Sequence, residues 1–195
     1  MAKVSAIVLA AGLSRRMGME NKMGLMYQGK PIVHHVIDQL TKSTVFETII
    51  VTSEVSQDLF PNHDIILNEH YQTGMTSSIQ AGVRAASAHT EGYMICLGDQ
   101  PLIQTEDYDH IVNAFSENFR DNPSSIIAPT YGGKKGNPVV FPFTFKEVIL
   151  NHEEPEGCKS IIQSNKQHVH AIEMSTNHVL QDIDTPTDYK QISSS

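Results

Sequence analysis

The stretch Ile7-Val8-Leu9-Ala10-Ala11-Gly12-Leu13-Ser14-Arg15-Arg16-Met17-Gly18-Met19-Glu20-Asn21-Lys22 is the one around which the chain is organised. Ile7 to Leu9 is a short apolar run, which predicts a buried parallel strand. It stops at Ala10-Ala11-Gly12, small residues that let a backbone come close to a ligand because no side chain stands in the way. Three cations, Arg15, Arg16 and Lys22, follow within eight positions. A strand that opens into a glycine-containing loop and then into clustered cations has the chemistry of a polyphosphate cradle. Backbone N–H groups point inward, and Arg and Lys neutralise the charge. The spacing matches neither of the two commonest phosphate loops. Gly12 and Gly18 are six apart with Met19 following, and only Gly12 stands at the turn. On composition alone, the same residues also fit a strand, a loop and solvated surface cations.

The charge balance favours a compact ligand. The formal charge is −8, from 22 acids against 14 Lys and Arg. Such a chain repels nucleic acid and anionic membranes as a whole, so neither is expected as a partner. Three of those 14 cations nonetheless sit in the one loop, which favours a local anionic ligand. A chain of 195 residues is most simply one domain, residues 1–195, with a sizeable core. Its two cysteines, Cys96 and Cys158, form no pairing pattern, which suits a reducing compartment. Met1-Ala2-Lys3-Val4-Ser5 moves straight into a strand with no signal-peptide layout, so a cytoplasmic location is expected.

Outward from the first strand, apolar periodicity predicts alternating helices and strands. Helices are expected over Pro31–Thr41, over Gly74–Ala88, and from Thr105, taken as the cap, through Phe119. Strands are expected at Thr48–Thr52, Ile65–Leu67 and Tyr93–Leu97. Later strands are read at Ser125–Ala128, Pro138–Phe141, His168–Glu173 and Val179–Gln181, with short helices at Phe145–Leu150 and Cys158–Ser164. Thr185 and Pro186 open a last helix. This alternation predicts an α/β fold with three Rossmann-like layers: a mostly parallel mixed sheet carrying helices on both faces. Ligands bind such sheets beyond the carboxyl ends of the strands, where the loops after Leu9 and Leu97 both lie.

Further stretches supply chemistry at those ends. In Gly98-Asp99-Gln100-Pro101, a carboxylate directly follows a buried strand; it suits a hard cation such as Mg²⁺, or a turn aspartate that bonds its own backbone. Asp182-Ile183-Asp184-Thr185-Pro186 places two carboxylates on one face of extended chain, or simply acids at a helix start. Gly74-Met75-Thr76-Ser77-Ser78 offers hydroxyls and free N–H groups at a helix start, where a good cap explains them equally well.

Leu9-Ala10-Ala11-Gly12-x-Ser14-x-Arg16-Met17-Gly18, with Lys22 after it, resembles the signature of the MobA-like nucleotidyltransferases, the family that includes molybdenum cofactor cytidylyltransferase. Many relatives have two residues between that second Gly and the Lys; here there are three. Gly98-Asp99-Gln100-Pro101-Leu102-Ile103 is similar to the family's second motif, and the matches run in order from residue 7 to residue 189.

The resemblance implies a nucleotidyltransferase fold and a division of roles. Leu9, Ala10, Ala11, Gly12, Leu13, Arg16 and Lys22 would hold the nucleotide, joined by Thr76, Ser77 and Ser78. Arg16, Lys22 and Asp99 would carry catalysis, with Asp99 and Asp184 as ligands of Mg²⁺. Gln100, Pro101, Gly136 and Asn137 would face the acceptor. It also implies CTP as the favoured triphosphate, a molybdopterin-type acceptor, release of pyrophosphate, and a molybdoenzyme receiving the product. A guanylyltransferase or sugar-phosphate nucleotidyltransferase of the same fold, or a molybdenum cofactor-binding chaperone without transfer activity, are the alternatives. Outside these roles, Cys158 reads as a thiol that could be exposed and reactive. Glu153-Glu154-Pro155-Glu156 reads as a solvated turn, and His168 and His170 share a strand face without a third metal ligand.

Overall fold

The computed structural model describes residues 1–12 and 21–193. The chain begins with β1 (Val4–Ala10), then a two-stranded hairpin of β2 (Met26–Tyr27) and β3 (Lys30–Pro31) that periodicity did not reveal. There follow α1 (Ile32–Lys42), β4 (Glu47–Thr52), β5 (Ile65–Leu67), α2 (Met75–Ala85), β6 (Gly92–Leu97) and α3 (Thr105–Asp121). The second half holds β7 (Ile126–Tyr131), β8 (Lys134–Lys135), β9 (Val139–Pro142), α4 (Lys146–Leu150), α5 (Lys159–Ser164), β10 (Val169–Glu173) and α6 (Pro186–Ser193).

One sheet organises these elements in the order β10-β7-β9-β6-β1-β4-β5, with β8 added to β7. β1 pairs parallel with β4 on one side and β6 on the other, in registers that put Leu9 opposite Val51 and Leu97. Only β9 and the short β8 run antiparallel to their neighbours, so the expected mostly parallel mixed sheet is what forms. All seven residues of β1 are buried, because helices cover both faces. Its side chains alternate between two cores. Val4, Ala6, Val8 and Ala10 pack with α1 and α3, while Ile7 and Leu9 pack with α2, α4 and α5. Each fully buried Val or Ile there stabilises the fold by about 1.5–3 kcal/mol relative to exposure. α2 lies so close to β1 that a Cβ at Gly82 would sit 2.3 Å from Ile7 Cγ2.

Three expectations are corrected. The cap of α3 is Gln104, not Thr105. Gln104 forms a reciprocal capping box with Asp107, and the Thr105 hydroxyl donates instead to Gln39 Oε1 at 2.6 Å. Val179–Gln181 is not a strand; His178–Leu180 is one turn of 3₁₀ helix that leads the chain back across the sheet's carboxyl edge. Cys158 is buried beside α5 and not exposed, and burial pushes its thiol up to about 12. Cys96 is buried in β6, as a small apolar side chain would be. No helix among the described residues is long and apolar enough to cross a membrane.

Candidate active site

At the carboxyl end of β1, Leu9, Ala11 and Gly12 line a cavity of about 530 Å³, while the Ala10 side chain is buried in the core. Leu13 and Arg16 lie outside the described residues. Lys22 re-enters on a 3₁₀ turn, Lys22–Gly24, opened by Asn21. The Asn21 side chain accepts from Met23 N at 3.1 Å and donates to Ser56 Oγ at 2.8 Å, which fixes the turn against the loop after β4. Across the extra residue before Lys22, the chain still delivers its ammonium to the sheet edge. Lys22 Nζ donates to Asp99 Oδ2 at 2.5 Å and to Asp184 Oδ1 at 2.8 Å. Residues 77 and 162 positions away thus meet on one cation.

The two carboxylates differ. Asp99 follows β6 directly, and its side chain is 11% exposed; that of Asp184 is 37% exposed. Burial pushes the Asp99 carboxyl above its ordinary value, with Asp182 and Asp184 adding to the rise and Lys22 opposing it. Burial acts on Lys22 in the other direction, but Asp99 and Asp184 outweigh it and hold the ammonium above its usual range. Among the described residues, Asp99 Oδ1 is buried with no hydrogen-bond partner. A buried acceptor oxygen is costly to leave unpaired, so this one suits a cation. With Asp184 close by and Asp182 on the same cavity wall, the donor set is all hard oxygen, the set preferred by Mg²⁺ or Mn²⁺. No group of three or more His, Cys, Asp or Glu among the described residues is arranged to hold a metal alone. Two carboxylates sharing an ion with phosphate oxygens is the usual arrangement for Mg²⁺.

The facing wall has a different composition. Tyr71, Gln72, Thr73, Gly74, Met75, Ser78 and Pro155 form it. The segment Glu153–Glu156 is exposed, as a solvated turn would be, and it also closes this wall. Pro155 O accepts from Met75 N at 2.9 Å, and the Thr76 hydroxyl donates to Glu154 O while accepting from Gly157 N at 3.0 Å. Gly74 has φ +126°, and a Cβ there would lie 2.5 Å from Pro155 O, so only glycine fits. Of the three hydroxyls expected at the nucleotide, Ser78 lines the cavity. Thr76 is held by the 154–157 loop, and Ser77 donates to His70 O and Gly74 O beside a separate groove. No motif flagged Pro155; its role comes from packing across a long sequence separation.

The four residues expected at the acceptor also converge, though away from this cavity. Gln100 Nε2 and Asn137 N both donate to Val179 O, at 3.2 and 3.0 Å, and a Cβ at Gly136 would lie 2.3 Å from the same oxygen. Pro101 is buried next to Gln100. His168 falls in a 3₁₀ turn before β10, and His170 lies within it.

The first strand of the sheet ends at small residues, and a Lys and two Asp meet there. Residues 6–171 match the MobA-like NTP transferase domain. The chain belongs to the MobA-like NTP transferase family. It is 29% identical over 147 residues to a molybdenum cofactor guanylyltransferase of Vibrio vulnificus (strain YJ016), a match covering 74% of this chain and 70% of that one. It is 26% identical over 200 residues to the purine catabolism protein PucB of Bacillus subtilis (strain 168), covering 95% and 94%. Rv0371C of Mycobacterium tuberculosis H37Rv, solved in complex with manganese, superposes with a TM-score of 0.78 at 19% identity over the whole of both chains. The fold is therefore that of the NTP transferases.

Proposed function

We propose that this NTP transferase moves a nucleoside monophosphate from a triphosphate, CTP by preference, to the phosphate of a molybdopterin-type acceptor. The observation that carries this reading is the meeting of Lys22 with Asp99 and Asp184 on the wall of a cavity whose volume is in the range of small-molecule sites. A phosphate acceptor is already an adequate nucleophile, so the site needs no Ser–His dyad. Its task is positioning and charge neutralisation.

In this reading the backbone from Ala11 to Leu13, with Arg16 and Lys22, holds the β- and γ-phosphates, and the base lies toward Tyr71–Met75 and Pro155. Asp99 and Asp184 would hold a divalent cation, Mg²⁺ or Mn²⁺, which supplies charge neutralisation at the α-phosphate when bound. An acceptor phosphate oxygen forms the new bond to the α-phosphorus, and the bond from that phosphorus to the α–β bridging oxygen breaks. Pyrophosphate leaves with the electron pair, and Lys22 offsets its charge. Asp182 lines both the nucleotide cavity and an adjoining one of about 400 Å³ bounded by Tyr27, Leu102, Leu180 and Gln181. A shared residue between two cavities supports an acceptor lying beside the nucleotide. Gln100 and Asn137 hold the Val179 turn by hydrogen bonds and Gly136 packs against it, next to Leu180 and Gln181 of that second cavity.

Ala10-Ala11 and Gln100 favour CTP by resemblance, whereas the Vibrio vulnificus relative is named a guanylyltransferase, so GTP is the second reading. Pyrophosphate release with each of CTP, GTP, ATP and UTP, with and without molybdenum cofactor, tests both. Release that requires CTP and the cofactor supports the proposal. Release with GTP keeps the mechanism and changes the nucleotide. Cofactor binding without any release overturns transfer and leaves a carrier.

A further inference from the structure

Between β10 and α6 the chain runs from Met174 to Asp184 without adding a strand to the sheet, and it ends at Asp184, one of the two carboxylates that meet Lys22. Met174 N donates to Thr130 O at 2.8 Å, and three further fastenings hold this strap beyond it. At its start, Asp107, 6% exposed in the first turn of α3, accepts from His178 Nδ1 at 2.9 Å and from the Thr176 hydroxyl at 3.3 Å. In the middle, Val179 O takes the bonds from Gln100 and Asn137 described above. Near its end, Ile183 N donates to Asp99 O at 3.1 Å, and the Ile183 side chain is buried between Asp182 and Asp184.

Asp107 would cap α3 without His178, since Gln104 N already donates to its Oδ2 at 3.0 Å. Its second set of bonds reaches 71 residues onward, to the strap alone. A charged acceptor in a dry site makes a stronger and more directional bond than a neutral one. Residues i and i+2 of extended chain share a side, so Asp182 and Asp184 face the same way, and the placement of the strap along its length decides which of them meets Lys22.

We infer that Asp107 and His178 are positioning residues: they fix the strap so that Asp184 stands opposite Asp99 at the spacing a divalent cation needs. Neither side chain lines the cavities on either side of Asp182. The inference rests on the proposed metal role of Asp99 and Asp184.

Direct titration of the nucleotide-free protein with Mn²⁺, followed by electron paramagnetic resonance, separates positioning from structure. His178→Ala is expected to weaken Mn²⁺ binding about tenfold, the lower end for loss of a supporting partner. It should lower kcat with little change in KM for the triphosphate. His178→Asn should restore most of the affinity, since its amide N–H can donate to Asp107 from near the Nδ1 position. Asp107→Ala also removes the α3 cap, so the His178 pair carries the test. Unchanged Mn²⁺ affinity in His178→Ala, or a loss that His178→Asn does not repair, overturns the inference. Mn²⁺ binding indifferent to Asp184→Ala would overturn the metal assignment itself, and the inference with it. Dependence on Asp184 but not on His178 overturns the inference alone.

Discussion

The two walls of the cavity at the carboxyl end of β1 are made of different things. One is charge held by side chains: Lys22 reaches from a 3₁₀ turn to Asp99 and Asp184. The other is backbone held by packing: the start of α2 is closed by Pro155 and Glu154, and Gly74 and Thr76 fit against them. The charged wall costs stability, because burial opposes ionisation of Asp99 and leaves Oδ1 unpaired among the described residues. The packed wall contributes stability through satisfied hydrogen bonds. A change in the first should therefore cost rate and spare the fold; a change in the second should cost the fold and spare the chemistry.

Asp99→Ala is the hardest test of that contrast. Turnover should fall by about 10³-fold, the scale of losing an electrostatic contact to the developing charge. The melting temperature should hold or rise, since an unfavourably buried carboxylate is removed while Asp184 still pairs Lys22. Pyrophosphate release and thermal melting on the same sample decide it. A sharp fall in melting temperature would mean that the charged wall is also structural, and the contrast would fail.

Gly74→Ala is the corresponding change on the packed wall. The new Cβ would meet Pro155 O at a 2.5 Å separation, and the backbone conformation at φ +126° is one that alanine resists. The expected cost is about 2–3 kcal/mol of stability. KM for the triphosphate should rise as the wall shifts, with kcat per folded molecule nearly kept. Unaltered KM together with reduced kcat would place this wall in the chemistry. Thr76→Val sharpens the same point at lower amplitude. It keeps the volume and removes a buried donor and acceptor, leaving Glu154 O and Gly157 N without partners. A loss of about 1–2 kcal/mol in denaturant unfolding is expected, with pyrophosphate release unchanged.

The same contrast explains what could be read from the sequence. The position of Asp99 at the sheet edge was legible because a carboxylate just after a buried strand is held there, whereas Lys22 and Asp184 stand 12 and 11 residues beyond the strands that precede them, and the family resemblance singled them out. The strands β1, β4 and β6 were legible because burial on both faces writes itself as an uninterrupted apolar run. Thr76 was legible as part of a helix start, but not its direction, which is set by a loop nearly 80 residues later. Pro155 carried no signal for the same reason. Val179–Gln181 reads as strand because its two apolar residues, Val179 and Leu180, show no period to distinguish strand from one turn of 3₁₀ helix. Gln104 lost the reading of the α3 cap to Thr105 because hydroxyls are the better caps in general; here Gln39 had already engaged that hydroxyl.

The smallest effect is expected beside the charged wall, at the start of α6. Asp188 Oδ2 accepts from Thr185 N at 2.7 Å, from the Thr185 hydroxyl at 2.8 Å and from Asp184 N at 3.1 Å. It thus caps the helix and steadies the backbone of a charged-wall residue from outside the cavity. These bonds, those from Thr185 foremost, hold its carboxyl below the ordinary 3.8. A folded-state value below the unfolded one means that the ionised form favours folding. That contribution is complete above pH 3.8 and fades as the pH falls through the lower folded-state value. Asp188→Ala should therefore cost about 0.5–1 kcal/mol near neutrality, as loss of a cap does. The gap between variant and native melting curves should narrow in acid. A gap as wide in acid as at neutrality would mean that the neutral carboxyl caps as well as the carboxylate, so that geometry and not charge holds α6. A turnover loss larger than a fewfold would move Asp188 onto the charged wall and redraw the boundary between the two.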